Sequence, residues 1–461
     1  MRKIGFGVFV GFFLFGYSPF LLAGSTKVLD LPAVVALILD NSPELKGAQA
    51  RIGEAEGNSG EASAHDIPSL NAFSGFTRGD GPVYAFGSIL NQRNFTSQDF
   101  NLSNLNYPGY VNNIDSNLEL DIPIFTAFEV DSAKKASKLG IRLSEAQKEM
   151  ITQNLRFEAV DAYLSVLLEE AIVQNLSNRI DSARKKIDEA RALKKKGLVL
   201  GSDFYAAQAI EGALEGSRAE AQKNLENARF QLMSLMESED EDWSLKGNLP
   251  GRLYTIASRK ELIQEALSQR AELRSAVLGE SIARVLKKKE DLSLLPKVQA
   301  FALLDANSSG SGALASDRML GLEAKLPVAD PAFFSRIKKA KAKVMVAQAD
   351  RAVLEKHIRS EVIEAFERYL GFDTSIPIFA QTLRHAQKSL ELVGPLYREG
   401  RQSVIEVLRA EQGVAQAQGA YLESAYGVHM SYARILLASG NLGTEEIIKV
   451  ENHLETQENG K

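Results

Sequence analysis

Gly197-Leu-Val-Leu-Gly-Ser-Asp-Phe-Tyr-Ala-Ala-Gln208 lies on Gly400-Arg-Gln-Ser-Val-Ile-Glu-Val-Leu-Arg-Ala-Glu411 at an offset of 203 residues. Working outward, Asp121-Ile-Pro-Ile-Phe125 lies on Lys325-Leu-Pro-Val-Ala329 at an offset of 204, and Ser42-Pro-Glu-Leu-Lys46 on Arg270-Ala-Glu-Leu-Arg274 at 228. The first copy therefore carries 24 extra residues between its two strand segments. Each copy reads helix, strand, loop, strand, very long helix, Gly turn, long helix. Solenoid repeats run roughly 20 to 50 residues, so a unit of this size implies a pseudo-twofold protomer, each half supplying the same parts to a larger assembly. The expected boundaries are a first repeat over 26–237, an acidic connector over 238–250, a second repeat over 251–440 and a polar tail over 441–461.

Four segments alternate with the period of two that half-buried strands require. In Asn117–Phe125, Leu118, Leu120, Ile122 and Ile124 share one face, and Asn117, Glu119 and Asp121 the other. Leu320, Leu322, Ala324 and Leu326 oppose Gly321, Glu323 and Lys325 in the corresponding segment of the second copy. Leu70–Thr77 and Lys297–Leu304 are the first strands of the two pairs. A polar and an apolar face on every strand suit a barrel with lipid outside and water within. The extra residues fall in Gly79–Ser116, rich in Gly, Asn and Ser, which reads as an irregular surface loop.

Between the strands the pattern is helical. Ala127 to Lys196 contains no Pro and one Gly, Gly140, which gives roughly 105 Å of helix at 1.5 Å per residue. Val160, Leu164, Leu167 and Ala171, like Ala410, Val414, Ala417 and Tyr421, step by 4, 3, 4, the spacing of coiled-coil knobs. At the second Gly turn, Gly400 suits a left-handed helix cap, and Ser403-Val-Ile-Glu406 reads as a capping box.

Composition narrows the function classes. Arg2 and Lys3, an uncharged run from Ile4 to Leu22 and small residues at Ala23-Gly24-Ser25 read as a secretory signal over 1–25; the plainer reading is an uncleaved anchor, broken by Gly11, Gly16 and Pro19. Leu22-Ala-Gly-Ser25 resembles a lipoprotein box with Ser in the place of the acylated Cys. No later stretch holds 18 consecutive apolar residues, so any membrane crossing falls to strands. With no Cys, disulfides and thiolate metal sites are excluded. A net charge of −5 gives no footprint for nucleic acid. The five His residues, His65, His357, His385, His429 and His453, lack metal-ligand spacing and read as solvated helix-face groups. No phosphate loop, GxSxG or metal triad marks an enzyme, and no cofactor is implied.

The signal, the two copies of strand pair and long helices, the Ile122-Pro-Ile-Phe125 strand exit and the turn Tyr397–Glu411 together resemble the TolC-like outer-membrane efflux channels over roughly residues 28 to 440. Phe86-Gly-Ser-Ile-Leu-Asn-Gln-Arg-Asn-Phe95, with Asp99-Phe100 and Leu105-Asn-Tyr-Pro108, is similar to the surface-loop region of one branch of that family. The resemblance implies a homotrimer in a Gram-negative outer membrane. Each protomer would give four strands to a twelve-stranded β-barrel embedded in outer-membrane lipid, and its coiled-coil helices would form an α-barrel across the periplasm. The channel would dock a periplasmic adaptor and an inner-membrane pump through the helix turns at Gly197, Ser202, Gly400 and Ser403.

By position, Tyr397 matches the family's latch tyrosine, Asp203 the latch aspartate of the first copy and Glu406 the first acid of a cation-sensitive ring. Two positions depart from that pattern: Gln402, beside Arg401, occupies the latch arginine's place, and Arg409 replaces the second ring acid. An Asp203–Arg401 pair is the expected substitute. Plainer readings stand beside these: Glu406 closing the capping box, Tyr397 packing the last turn, Asp203 favouring a helix start, and Lys194, Lys195 and Lys196 as solvated charges. A soluble periplasmic coiled-coil adaptor or scaffold is the competing function; it explains the helices and leaves four matched strands without a use.

Overall fold

In a computed structural model, residues 27–455 are described, apart from 198, 240–241 and 311–313. The expected signal over 1–25, with its Ser25, lies outside the described residues, as does the end of the tail. In chain order the elements are β1 (Lys27–Leu29), α1 (Leu31–Asn41), α2 (Pro43–Ala64), β2 (Ser69–Gly79), α3 (Pro82–Asn91), a 3₁₀ turn (Ser97–Phe100), α4 (Leu102–Asn106), β3 (Val111–Phe125), α5 (Glu129–Lys195), α6 (Gly201–Met236), β4 (Trp243–Leu245), α7 (Arg259–Gln269), α8 (Ala271–Asp291), β5 (Lys297–Ser308), β6 (Ala315–Lys325), α9 (Phe333–Arg398), α10 (Val404–Ser439) and α11 (Thr444–Leu454).

The duplication is visible element by element: α1, α2, β2, β3, α5 and α6 correspond to α7, α8, β5, β6, α9 and α10. Even the break between the two short helices recurs, at Ser42 (φ −51°, ψ 122°) and at Arg270 (φ −62°, ψ 127°). The long helices α5 and α9 run for 67 and 66 residues, about 100 Å each.

β2, β3, β5 and β6 form one antiparallel sheet in that order. All four expected strands are present and each is longer than its repeating pattern. The register pairs Leu70 with Leu120, Leu120 with Ala302, and Ala302 with Leu320. One residue along, Asn71 pairs with Glu119, Glu119 with Leu303, and Gln299 with Glu323. Because successive side chains alternate sides, even-numbered residues make one largely apolar face. Odd-numbered residues make the other, which carries Glu119, Asp121, Asp115, Asp305 and Glu323. Each strand runs directly into or out of a helix, so the layer below repeats the order α2, α5, α8, α9. These neighbours are packed against one another.

Four expectations need correction. The 79–116 segment is not uniformly irregular: Pro82 at the first position of α3 and apolar Val83, Phe86, Ile89 and Leu90 support a ten-residue helix. The connector contributes β4, which pairs in parallel with β1 and buries Trp243. The polar tail folds as α11, whose Ile447, Val450 and Leu454 recur at helical spacing and are almost wholly buried, with Glu446, Lys449 and Glu455 outside. His429 is not solvated: it is 0% exposed.

The larger core lies where α1, α7, α11 and the β1–β4 ribbon pack on the long helices, around Leu31, Ile38, Tyr163, Leu164, Leu232 and Leu442. Tyr163 donates its hydroxyl to Lys246 O at 2.6 Å. Tyr254 is fixed from several sides. Its N–H donates to the Tyr369 hydroxyl (2.6 Å), and the Tyr369 hydroxyl donates to its carbonyl (2.7 Å). Its ring stacks on Tyr432 at 3.8 Å and on His453 at 4.0 Å. His429 Nε2 lies 3.0 Å from the Pro250 carbonyl, which can only accept, so Nε2 carries the proton and Nδ1 accepts from the Tyr254 hydroxyl at 2.6 Å.

Burial pushes the His429 pKa down to about 4. Between roughly pH 6.5 and 4 the unfolded chain thus binds a proton that the folded chain excludes. The stability from this site is present above the unfolded pKa and is lost as pH falls toward the folded one, by ~3 kcal/mol in all. Thermal melting from pH 7 to 4 should show this decline, and His429→Gln should flatten it; an unchanged pH profile in the variant would show that other groups cause it.

Candidate functional site

The two Gly turns sit together at the end of the helical layer farthest from the sheet. Gly197 and Gly400 have φ of +73° and +71°, and a Cβ built on either would meet nothing within 4 Å. Their requirement for glycine is therefore torsional rather than steric. After α5, the Gly197 N–H donates to Lys194 O (2.9 Å); after α9, the Gly400 N–H donates to Tyr397 O (3.0 Å) and the Arg401 N–H to Leu396 O (2.9 Å). These bonds occupy carbonyls that a helix end would otherwise leave unpaired.

The hairpins share one apolar cluster: Ile180, Ala183, Ile187 and Ala190 of α5, Phe204 and Ala207 of α6, and Tyr397, Val404, Val407 and Leu408 of the second hairpin. Tyr397 is 8% exposed, Lys186 Nζ lies 6.0 Å from its ring centre, and its hydroxyl is buried without a partner among the described residues. Burial, with a smaller contribution from Glu189, raises its pKa. Lys194 Nζ sits over both Phe204 (4.5 Å) and Tyr205 (4.4 Å), so it is seated on aromatic faces rather than free in solvent.

The charged candidates are arranged differently from the sequence expectation. Ser403 caps α10 by backbone geometry alone, without a side-chain cap bond. Glu406 does not close a capping box; its carboxylate accepts from Arg409 at 2.8 Å, one turn on, and both side chains are exposed. Asp203 and Arg401 do not pair within the chain. Asp203 accepts from the Ser202 hydroxyl at 3.3 Å, and Arg401 lies 3.5 Å from Glu399. Gln402 is exposed beside it.

One polar group escaped the sequence reading. Glu411 is 3% exposed and accepts from Arg179 Nη1 at 3.1 Å and from the Ser182 hydroxyl. Asn175 Nδ2 donates to Ala415 O at 3.0 Å a turn away. These bonds tie α5 to α10, one hairpin to the other. The signal was available: Val404, Leu408, Glu411 and Ala415 step by 4, 3, 4, so a carboxylate occupies a knob position. The arrangement holds no nucleophile paired with a base; it is a narrow, charged helical tip.

Gly400→Ala should cost about 1 kcal/mol, because an L-residue resists the left-handed conformation. The shift in thermal unfolding measures it, and an unchanged melting temperature would mean that the turn relaxes to another shape.

The profile of the outer membrane efflux protein family matches residues 34–237 and 262–441. Outer membrane protein TolC of Escherichia coli (strain K12) is 21% identical over 317 residues, which cover 66% of this chain and 64% of TolC, just under two thirds of its length. Outer membrane efflux protein BepC of Brucella suis biovar 1 (strain 1330) is 20% identical over 344 residues, covering 72% of this chain and 73% of BepC. Among solved structures, CusC superposes with a TM-score of 0.76 at 14% identity, over 89% of this chain and 92% of that one. The Campylobacter jejuni CmeC outer membrane channel gives 0.75 at 18%, over 92% and 90%. At these identities the superpositions establish the shared fold.

Proposed function

Since the chain belongs to the outer membrane efflux protein family and resides in the outer membrane, we propose that three copies form a passive duct from the periplasm to the cell exterior. The observation that carries this is the four-stranded sheet with two open edges. β2 and β6 each have one partner and leave a full row of unpaired backbone groups, which lipid does not tolerate. Pairing β6 of one copy with β2 of the next removes every edge and gives twelve strands. The even-numbered apolar face then meets lipid, and the acidic odd-numbered face lines the lumen. Below, α9 meets the neighbour's α2 and the helices continue the wall. A soluble adaptor would have to expose this apolar face to water.

Substrates enter at the helix tips, where a periplasmic adaptor and the inner-membrane pump behind it dock around Gly197, Ser202, Gly400 and Ser403. The protein supplies a wall and a gate rather than chemistry.

An Arg on the lipid face near the bilayer midplane costs about 2 to 4 kcal/mol, far more than one on the lumen face. Leu120→Arg should therefore abolish the heat-labile trimer seen on gels of outer-membrane fractions, and Glu119→Arg should leave it intact. Equal tolerance of both would refute the assignment of faces, and a monomer in the unmutated protein would refute the duct.

At the tip, threefold symmetry makes Glu406 a ring of carboxylates that attracts cations, partly cancelled by Arg409 bound to it. Glu406→Gln should lower cation selectivity and Arg409→Ala raise it. Tyr397→Ala should raise basal conductance by loosening the shared apolar cluster. Single-channel recordings in planar bilayers read all three; if none changes, the gate lies elsewhere.

A further inference from the structure

The apolar sheet face ends in aromatic rings. After a register shift between Pro123 and Phe125, Phe125 pairs with Val298 on that face, and Phe128 packs edge-on against it at 5.5 Å. From Phe128 down α5, every seventh residue is Lys135, Arg142, Glu149, Arg156 and Tyr163, one continuous stripe in a supercoiled helix. Its lower end fixes which side this is. Arg156 donates to Leu442 O (3.3 Å) and Tyr163 to Lys246 O (2.6 Å), both in the elements packed on the helices midway down. Those elements would block a duct if they lay inside it, so the stripe faces outward.

The second copy repeats the construction. Phe334, 79% exposed, begins a stripe of Lys341, Gln348, Glu355, Val362 and Tyr369, and Tyr369 holds the connector through Tyr254. Lys338 lies one turn below Phe334 on the same side. Lys135 and Lys138 fall on Lys338 and Lys341 at an offset of 203, the offset of the Gly turns. All five cations, Lys135, Lys138, Arg142, Lys338 and Lys341, are exposed, and none makes an ion pair among the described residues, whereas their neighbours Lys134 and Arg336 are paired with Asp66 and with Glu290 and Asp330.

We infer that this outward basic collar binds the anionic headgroups of phospholipids in the periplasmic leaflet. The inference rests on the barrel reading above. Phe128 and Phe334 mark the edge of the hydrocarbon, as interfacial aromatics do. Lys338, Lys135 and Lys341 follow about 6 to 10 Å below at 1.5 Å per residue. That is headgroup depth, since this layer adds roughly 5 to 8 Å on each side of the hydrocarbon, and lysine stems extend along apolar surface to bring their charge to the interface. Lys138 lies lower, within about one screening length of the lipid charge, and Arg142, about 21 Å below Phe128 at 1.5 Å per residue, lies beyond it. Each such cation contributes roughly fivefold to partitioning onto an anionic surface. Asp131, one turn above Lys135, and Glu145, one turn below Arg142, are the nearest opposing charges on α5; α9 has none before Asp350.

The test uses the purified trimer in vesicles of phosphatidylcholine with or without phosphatidylglycerol. Phosphatidylglycerol should raise the temperature of trimer dissociation and be retained several-fold over phosphatidylcholine in native mass spectrometry. Combined Lys135→Gln, Lys138→Gln, Lys338→Gln and Lys341→Gln should abolish both effects, whereas Lys194→Gln, Lys195→Gln and Lys196→Gln at the distant tip should keep them. If the fourfold variant fails to assemble, Lys338→Gln with Lys341→Gln should lower the preference at least several-fold, and added salt should weaken it in the unmutated protein. Soluble glycerol phosphate should not compete, because the lipid surface presents many headgroups at once; full competition would identify a free-phosphate site and overturn the lipid assignment. An unmutated trimer indifferent to phosphatidylglycerol, or a collar variant that retains it fully, would overturn the inference while leaving the duct standing, because trimer assembly is read separately.

Discussion

The pairing of β3 with β5 is the contact on which the rest depends, because it joins the two copies into one sheet. From Ile114 against Ser308 down to Phe125 against Val298, it sets β2 and β6 at the outside. A one-residue slip would turn every apolar side chain of the second copy to the polar side. The register also fixes the helices, since β3 leads into α5 and α8 into β5. The Glu129 carboxylate at the start of α5 holds Lys289 and Lys297 at this joint, and those two cations keep its pKa down at about 2. Lumen polarity, the helix order and the meeting of the two tips all follow from that register.

The middle of the helical layer and its tip are held in different ways. Midway down, the connector, the ribbon and α11 are bonded through backbone groups: Tyr163 to Lys246, Tyr369 to both ends of Tyr254, and the Leu31 N–H to the buried Glu451 at 3.1 Å. Each bond occupies a group that burial would otherwise penalise. Both regions contain buried polar atoms without partners among the described residues: the Tyr397 hydroxyl, Asn175 Oδ1 and Arg179 Nε toward the tip, and Trp243 Nε1, Arg156 Nε and Glu451 Oε1 midway down. Toward the tip the hairpins are cross-linked through Glu411 and Asn175.

What the sequence revealed depended on the length of each pattern. The four strands were legible because alternation persisted through Leu118, Leu120, Ile122 and Ile124, and α5 because nothing interrupts it over 67 residues. The ribbon was not, because β1 and β4 are three residues each and acquire meaning only from one another. In α11 the apolar positions Ile447, Val450 and Leu454 were masked by the charges between them. The capping box at Ser403 failed for a competitive reason: the motif was present, yet Arg409 offered Glu406 a full charge where the Ser403 backbone offered a dipole. The burial of His429 was not legible because lack of metal-ligand spacing left only a solvated reading, while its two partners, Tyr254 and Pro250, lie about 175 residues upstream.

This unevenness also says where the wall can move. Local opening draws on the least cross-linked regions of a fold. Rotating one hairpin against the other at the tip must break the Glu411 contacts with Arg179 and Ser182 and the Asn175–Ala415 bond, and it disturbs one compact apolar cluster. An equivalent rotation midway down would break the bonds of Tyr163, Tyr254, Tyr369 and His429 together and strip the larger core. The elements packed midway down are therefore the more heavily cross-linked part of the wall and the tip the less. At Gly197 and Gly400 no side chain lies within 4 Å of where a Cβ would sit, so neither turn is cross-linked by packing.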